Sequence, residues 1–402
     1  MRLAIVPVSF PLGNNEPYLA GEGSSLAKLC ESVMLVPVRP HSASRTMHSG
    51  MHVIAEPLLS RCVWLAAARG FGLNPRAALR SAYQAVVASG SFAHGCKNLL
   101  VLPKAFATAA WLREHRIDHV HAYWLSTPAT VAYVAASIAG IEWSSSAHRW
   151  DVYEANMRAR KIGSARFIRT ISDRGSRDLG AGRSHPNVHC VPLGVPMAVY
   201  RPPGILERAT LRLLCPAALV AVKGHETLIE ALRIARERGI PVECTFAGDG
   251  PLRAKLERRV RRAGLSAAIV FAGYVPQARL HAALLGGAFD GVVLASRDDG
   301  PRAMEGVPSA LIEAMAIGIP AIATTSGSVP ELLDARTGYL APPGDAAALA
   351  TAFARIWRYP HEARARRERA AIVVRAKHNA DRQGRALSAL IYDCTGSEEY
   401  SA

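Results

Sequence analysis

The seven cysteines, Cys30, Cys62, Cys96, Cys190, Cys215, Cys244 and Cys394, are few for 402 residues, odd in number and scattered, with no C-x-x-C pair and no histidine cluster at metal-ligand spacing. Their pattern gives no disulfide framework and no structural zinc site, and it fits a reducing compartment. Long apolar runs are also missing. The longest, around Thr127 to Ile141, is Ala-rich and interrupted by Tyr133 and Ser137. It is shorter than the roughly 20 residues a spanning helix needs, so a buried helix is expected there. The first residues form only a short apolar run broken by Pro7 and Pro11, without a charged leader, apolar core and small-residue cleavage site in order, so a cytoplasmic location is expected. No low-complexity tract and no repeat of roughly 20–50 residues is visible, which argues against a solenoid. Acidic residues are outnumbered: 48 Lys and Arg stand against 32 Asp and Glu, a formal charge of +16, of which residues 1–200 carry +10. That surplus favours an anionic partner, either a phosphorylated substrate, anionic lipid or nucleic acid. No helix-turn-helix, zinc or aromatic-stacking motif accompanies it, so nucleic acid is not expected.

Half of the residues are apolar, and the length suits two or three domains, each able to bury a full core. Apolar runs at Leu3–Val8, Val33–Val38, His119–His121, Phe167–Ile171, Leu211–Cys215, Val242–Ala247, Ala268–Ala272, Gly291–Leu294 and Pro320–Ala323 alternate with Ala/Arg/Leu-rich helical stretches. This order predicts an α/β protein with parallel sheets covered by helices on both faces. The Pro-rich segments Val191-Pro192-Leu193-Gly194-Val195-Pro196 and Arg201-Pro202-Pro203-Gly204 mark a boundary near the middle. The expected domains are 1–200 and 201–377, each doubly wound, facing each other across a cleft. A helix within 378–402 is expected to pack back on the first. Ligands of such sheets gather at the carboxyl ends of the strands.

The most informative stretch runs from Glu305 through Gly306, Val307, Pro308 and Ser309 to Glu313, and on to Gly318-Ile319-Pro320. It sets two carboxylates eight residues apart across a loop-to-helix junction. Gly306 lets backbone approach a ligand, Pro308 suits the helix start, and the first-turn amides offer an anion site at the positive end of the helix dipole. Spacing alone says little, because Glu/Asp pairs at this separation recur by chance; the full string is the signal. Upstream, Leu211 to His225 reads as a strand, a loop and a helix start, with Lys223 placed to neutralise a diphosphate leaving group or, in the plain alternative, solvated. Phe246-Ala247-Gly248-Asp249-Gly250-Pro251 is a strand end and a tight turn, which can be its whole role.

In the first half, Ser144-Ser145-Ser146-Ala147-His148-Arg149-Trp150-Asp151 places a histidine and an aspartate three apart at a strand-end loop. His148 would hydrogen-bond a sugar hydroxyl and Asp151 would fix its tautomer, although most histidines have no such role. His121-Ala122-Tyr123-Trp124 would line the same cleft, or simply pack. Arg61, Arg69, Arg76 and Arg80, interleaved with Trp64, Leu65, Phe71 and Leu79, would lay an amphipathic face on anionic lipid; a solvated helical hairpin is the alternative.

Taken in order, the strand before Lys223-Gly224-His225, Ala247-Gly248-Asp249-Gly250-Pro251, Phe271-Ala272-Gly273-Tyr274-Val275, the Glu305 to Pro320 string and Ser328-Val329-Pro330-Glu331 resemble the nucleotide-sugar domain of family 4 glycosyltransferases, which have the GT-B fold of two Rossmann-like domains. The likeness covers about residues 211–345; the first half is similar more loosely, through residues 120–124, 147–153 and 170–173. Bacterial enzymes of the exopolysaccharide and colanic-acid type are the nearest in kind. The resemblance implies a retaining, metal-independent glycosyl transfer from a nucleotide-diphosphate sugar, with no further cofactor, to a glycan, lipid-linked or small-molecule acceptor. It implies that Glu305 contacts the donor sugar, Glu313 the nucleotide ribose and Lys223 the diphosphate, with His148 near the donor sugar. Gly306, Val307, Pro308 and Ser309 would lie beside the diphosphate, the backbone of Tyr274 and Val275 beside the nucleobase, and Gly248 in the donor loop. On the acceptor side it points to Gly13, Asn14, Tyr123 and Asp151.

Two departures stand out. The family usually has Gly-Arg where this chain has Ala217-Ala218, so the arginine that shares the diphosphate with the lysine is missing. One lost charge-assisted contact costs roughly 1.5–3 kcal/mol unless another base, such as Arg297, Arg302 or Arg149, replaces it. The glycine-rich loop after the first strand is reduced to Leu12-Gly13-Asn14-Asn15, and Tyr123 stands where a second histidine is common. These departures keep open a catalytically degenerate member that acts as a binding partner.

Overall fold

The computed structural model describes residues 1–10, 17–40, 47, 48, 50–180, 185–197, 209–301 and 303–395. Two compact units emerge, Met1–Gly194 together with Ala380–Ala402, and Val195–Asn379. Each has a doubly wound parallel sheet. In the first, the strand order from edge to edge is Val188–Cys190, Ile168–Thr170, Glu142–Ala147, His119–Ala122, Arg2–Val6, Ser32–Leu35, Met51–Val53 and Met47–His48, and the last pair alone is antiparallel. In the second the order is Ile269–Gly273, Val242–Ala247, Leu211–Cys215, Gly291–Leu294, Ala321–Thr324 and Tyr339–Ala341, parallel throughout. Each sheet reverses its winding beside its own first strand, the point where open α/β sheets present ligand sites.

The sequence explains the layers. Leu3, Ala4, Ile5 and Val6 are all fully buried, because a central parallel strand is covered on both faces and carries no polar side. The helix Thr127–Ala139 is buried almost all round and ends at Gly140, whose φ of +71° forms the left-handed cap that glycine adopts without strain. The Ala380–Thr395 helix sets Leu387 and Ile391 among Leu3, Ile5, Leu19 and Leu26 on one face of the first sheet. Ser25 Oγ donates to Asp381 Oδ1 at 3.0 Å, and Tyr392 Oη donates to the Leu29 carbonyl at 2.7 Å. Burying two such side chains contributes roughly 3–6 kcal/mol, which holds the end of the chain on this unit.

The interior of the first unit is unusually polar. His119 Nε2 and His121 Nδ1 each lie 2.7 Å from Ser144 Oγ, and His121 Nε2 lies 2.9 Å from Ser146 Oγ, a ladder between adjacent buried strands. Beside it, Arg169 is fully buried and forks onto Glu22 with two 2.7 Å bonds. Its remaining donors reach the Val191 and Pro192 carbonyls at 2.8 and 2.9 Å, while Glu22 Oε1 accepts the Gly194 amide at 2.9 Å. One ion pair therefore clamps the segment 191–194 where the chain leaves the unit. A buried charge left without its partner typically costs about 3–5 kcal/mol. Glu22→Ala is expected to destabilise the first unit by about that amount, read by denaturant unfolding of the tryptophan signal, since five of the six tryptophans lie in it. A loss under about 1 kcal/mol would contradict the clamp.

Burial also sets the response to acid. It lowers the His119 pKa to about 4, that of His121 well below the usual imidazole range, and that of His148 to about 3; nearby Arg166 adds to the effect on His119, and Arg169 to that on the other two. A base with a depressed native pKa contributes stability that is present above its unfolded pKa, about 6.5, and is lost as pH falls toward the native value. Asp151 opposes this, because burial raises its pKa to about 7 and its contribution is lost as pH rises toward 7. Three histidines against one carboxylate leave a net uptake of protons on unfolding below about pH 6.5, so the first unit loses stability as pH falls from there toward 4. Urea midpoints of the first unit should fall over this range, and His121→Asn should flatten the dependence. A flat wild-type profile would refute the assignment.

Candidate active site

In the second unit the carboxyl ends of the strands Leu211–Cys215, Gly291–Leu294 and Ala321–Thr324 carry a polar cluster centred on Glu305. Its side chain is 6% exposed. Glu305 Oε2 accepts from Lys223 Nζ and from Ser296 Oγ, both at 2.7 Å. Its amide donates to Ser326 Oγ at 2.8 Å, and Ser326 Oγ donates in turn to the Arg297 carbonyl at 2.5 Å. Gly327, at φ +56°, runs directly over the Glu305 carbonyl; a Cβ there would lie 1.8 Å from that oxygen. Only glycine permits this approach. Glu305 is thus fixed from three strand-end segments, its amide by Ser326 and its carboxylate by Ser296 and by Lys223, which ends a short turn before the His225–Glu237 helix.

From Glu305 the chain passes through Gly306, Val307 and Pro308 into the helix Ser309–Ile317. Pro308 caps that helix as the residue before it, and the expected anion site at the first-turn amides lies here. One turn in, Glu313 is held from the neighbouring helix Gln277–Leu285: Gln277 Nε2 donates to Oε1 and His281 Nε2 lies by Oε2, each at 2.8 Å. Tyr274 and Val275 precede that helix, Tyr274 exposed and Val275 half-buried. Gly248 has a packing reason to be glycine, since a Cβ would meet the Ala217 carbonyl at 2.1 Å.

Ser296, Ser326, Gln277 and His281 are members of this network that the motifs do not single out. Arg297, a candidate for the missing arginine at Ala218, has its Nε 2.7 Å from Asp299 Oδ2. Arg302 lies outside the described residues, as do Gly13 and Asn14.

In the first unit, His148 follows the strand Glu142–Ala147 and opens the short helix Arg149–Val152, so the Ser-rich run is itself strand. His148 is 4% exposed, its ring 4.5 Å from that of Trp124 and 5.6 Å from that of Tyr123. With its pKa near 3 it is neutral at neutral pH, suited to hydrogen bonding. Asp151 departs from the expected tautomer-fixing role. Its Oδ1 accepts the His148 amide at 2.6 Å and its Oδ2 the Leu125 amide at 2.5 Å, so it ties the loop after Glu142–Ala147 to the loop after His119–Ala122. Lys161, fully buried, donates to the Leu125 and Ser126 carbonyls at 2.8 and 2.7 Å and secures the same junction. Tyr123 is fully buried and its Oη lies 3.5 Å from the Arg169 guanidinium, which makes it a core residue. Arg149 stacks on Trp150, 3.9 Å from the ring centre.

Residues 206–373 match the family model of glycosyl transferases group 1. The chain is similar to the amylovoran biosynthesis glycosyltransferase AmsK of Erwinia amylovora, 37% identical over 36% of each chain. It is also similar to the putative colanic acid biosynthesis glycosyltransferase WcaL of Escherichia coli K12, 34% identical over 39% of each. The matched stretches thus span somewhat over a third of these relatives' length. The crystal structure of Anabaena HepE in complex with UDP superposes with a TM-score of 0.73 over 98% of this chain and 100% of that one, at 15% identity. Two Rossmann-like units in one chain, with that superposition, make the fold GT-B, and within it residues 206–373 are similar to the glycosyl transferases group 1.

Proposed function

We propose that this protein is a retaining glycosyltransferase that moves a sugar from a nucleoside-diphosphate sugar to a hydroxyl of a glycan, lipid-linked or small-molecule acceptor, in bacterial exopolysaccharide or related glycoconjugate synthesis. The observation that carries the reading is the Lys223–Glu305 pair at the strand ends, beside the start of the Ser309–Ile317 helix. A departing nucleoside diphosphate gains negative charge, and an ammonium with oriented helix amides stabilises it without reorganisation. Lys223 and the first-turn amides take that role in place of a metal. Glu305, held by Ser296 and Ser326, addresses the donor sugar from the face where positive charge develops. Glu313 accepts the ribose hydroxyls, with Gln277 and His281 orienting its carboxylate. The neutral imidazole of His148 serves as the sugar hydrogen-bonding group that the family resemblance implies. The likeness to the biosynthesis glycosyltransferases AmsK and WcaL and the UDP bound by HepE support the donor class and the pathway type.

Purified enzyme screened with a panel of sugar nucleotides and acceptor extracts should release nucleotide, with turnover insensitive to a metal chelator. Lys223→Ala should lower kcat/KM roughly 10- to 100-fold, the loss of one charge-assisted contact, and Glu305→Ala should abolish turnover. Unchanged turnover in Glu305→Ala would overturn the site. Tight nucleotide binding with no transfer would instead favour the binding-partner reading that Ala218 motivates.

A further inference from the structure

Residues 57–113 contain no aspartate or glutamate, yet they include Arg61, Arg69, Arg76, Arg80, Lys97, Lys104 and Arg113. The stretch folds as three successive helices, Arg61–Leu73, Pro75–Val87 and Phe92–Glu114. In the first two the side chains are distributed largely in reverse of an ordinary surface helix, which turns large apolar residues inward. In Pro75–Val87 the buried stripe is small, Ala78, Ser81 and Ala85, while Leu79, Tyr83 and Val87 recur every fourth residue on the outer side, at 62%, 68% and 64% exposure. In Arg61–Leu73 the buried stripe is Val63, Ala66, Ala67 and Gly70, and Trp64 and Leu65 face solvent at 53% and 66%.

The reversal has a packing cause. At Gly70 a Cβ would lie 1.8 Å from the Phe106 carbonyl, so the first helix approaches the third too closely for large inward residues. In Phe92–Glu114 the buried residues become continuous only from Val101 onward; its first turns expose Phe92 at 90%, Leu99 at 59% and Leu100 at 66%. Close packing explains why the inner faces are small, but not why the outer ones are bulky and apolar. Arg61, Arg69, Arg76, Arg80 and Lys97 are exposed between those residues, and none makes an ion pair among the described residues.

We infer that these three helices form a docking surface for an anionic lipid bilayer, with Trp64, Leu65, Leu79, Tyr83 and Phe92 entering the headgroup boundary and the interspersed arginines meeting lipid phosphates. Exposed aromatic and aliphatic groups alone would suit any apolar partner; the absence of acidic residues over the whole stretch selects an extended negative surface. No helix among the described residues is long and apolar enough to cross a membrane, so the contact is one of lying on the surface. The inference does not depend on the proposed transferase reaction.

The test is flotation of the full chain with vesicles of phosphatidylcholine alone and of phosphatidylcholine mixed with phosphatidylglycerol. Binding to the mixed vesicles should be strong at low salt, weaken as salt rises, and be slight on phosphatidylcholine alone. Each basic residue near an anionic surface contributes roughly fivefold in partitioning, so the double variant R76A/R80A should bind about 25-fold more weakly. Leu79→Glu combined with Tyr83→Glu should abolish flotation. Both variants replace exposed side chains, and unchanged circular dichroism and thermal unfolding would confirm that they fold. Failure of the wild-type chain to float at low salt, equal flotation with both vesicle types, or full binding by both variants would each overturn the inference. So would binding of single-stranded RNA, lost in the same variants, in place of vesicle binding.

Discussion

Glu305 is the point on which the second unit's functional face depends. A carboxylate with 6% exposure is tolerable only when its charge is compensated and its lone pairs are filled. Lys223 and Ser296 do this for the side chain, and Ser326 and Gly327 fix its backbone. Those partners stand on the ends of different strands, so the site exists only when the strands Leu211–Cys215, Gly291–Leu294 and Ala321–Thr324 are in register. Charge compensation and sheet assembly are one requirement here. The position of the Ser309–Ile317 helix follows, because only three residues separate it from Glu305.

How much of this can be read from sequence depends on where burial leaves a mark. The strands Leu211–Cys215, Val242–Ala247 and Gly291–Leu294 are visible at their observed bounds; Gly291–Leu294 is an uninterrupted apolar run, the pattern of a strand covered on both faces, while Arg212, Glu243 and Thr245 break the other two without hiding them. Met51–Val53, Val188–Cys190 and Tyr339–Ala341 have three residues each, too few to show a period. Glu142–Ala147 escapes for another reason. Its serines look like loop, and their polarity is tolerable in the sheet only because His119 and His121 on the adjacent strand lie within hydrogen-bonding distance.

The site shows the same division. Glu305, Glu313 and Lys223 stand out because a contiguous string surrounds each of them. Ser296, Ser326, Gln277 and His281 have no such string: each meets its partner through the fold, between 9 and 36 residues away in the chain. Asp151 is the instructive case in the first unit. A His-x-x-Asp spacing suggests side-chain chemistry, whereas the short helix turns the aspartate back onto the backbone amide of His148 and across to Leu125. The same three-residue spacing serves a capped helix start, where the acid three positions in reaches the capping residue.

On the proposed reading, Ala218, standing where the resembled family usually has arginine, changes how a donor would be held. The loop around it is pinned to the next turn, with Ala217 against Gly248 and the Leu219 amide bonded to the Asp249 carbonyl at 2.9 Å, so backbone occupies that side closely. Nearby cations are already engaged, Arg297 with Asp299 and Lys255 with Glu226, each at 2.7 Å. Lys223 is engaged too, but by the very carboxylate that the proposed reaction uses. On that reading an arriving diphosphate competes with Glu305 for one ammonium, and every gain in Lys223–phosphate contact loosens a partner of Glu305. Ser296, which donates to the same oxygen as Lys223, keeps that oxygen hydrogen-bonded through the exchange. The helix start supplies the remaining positive potential without any partner exchange, since its amides are fixed by the backbone. On the proposed reading, with alanine at 218 more of the burden falls on backbone dipoles, which no single side-chain substitution removes.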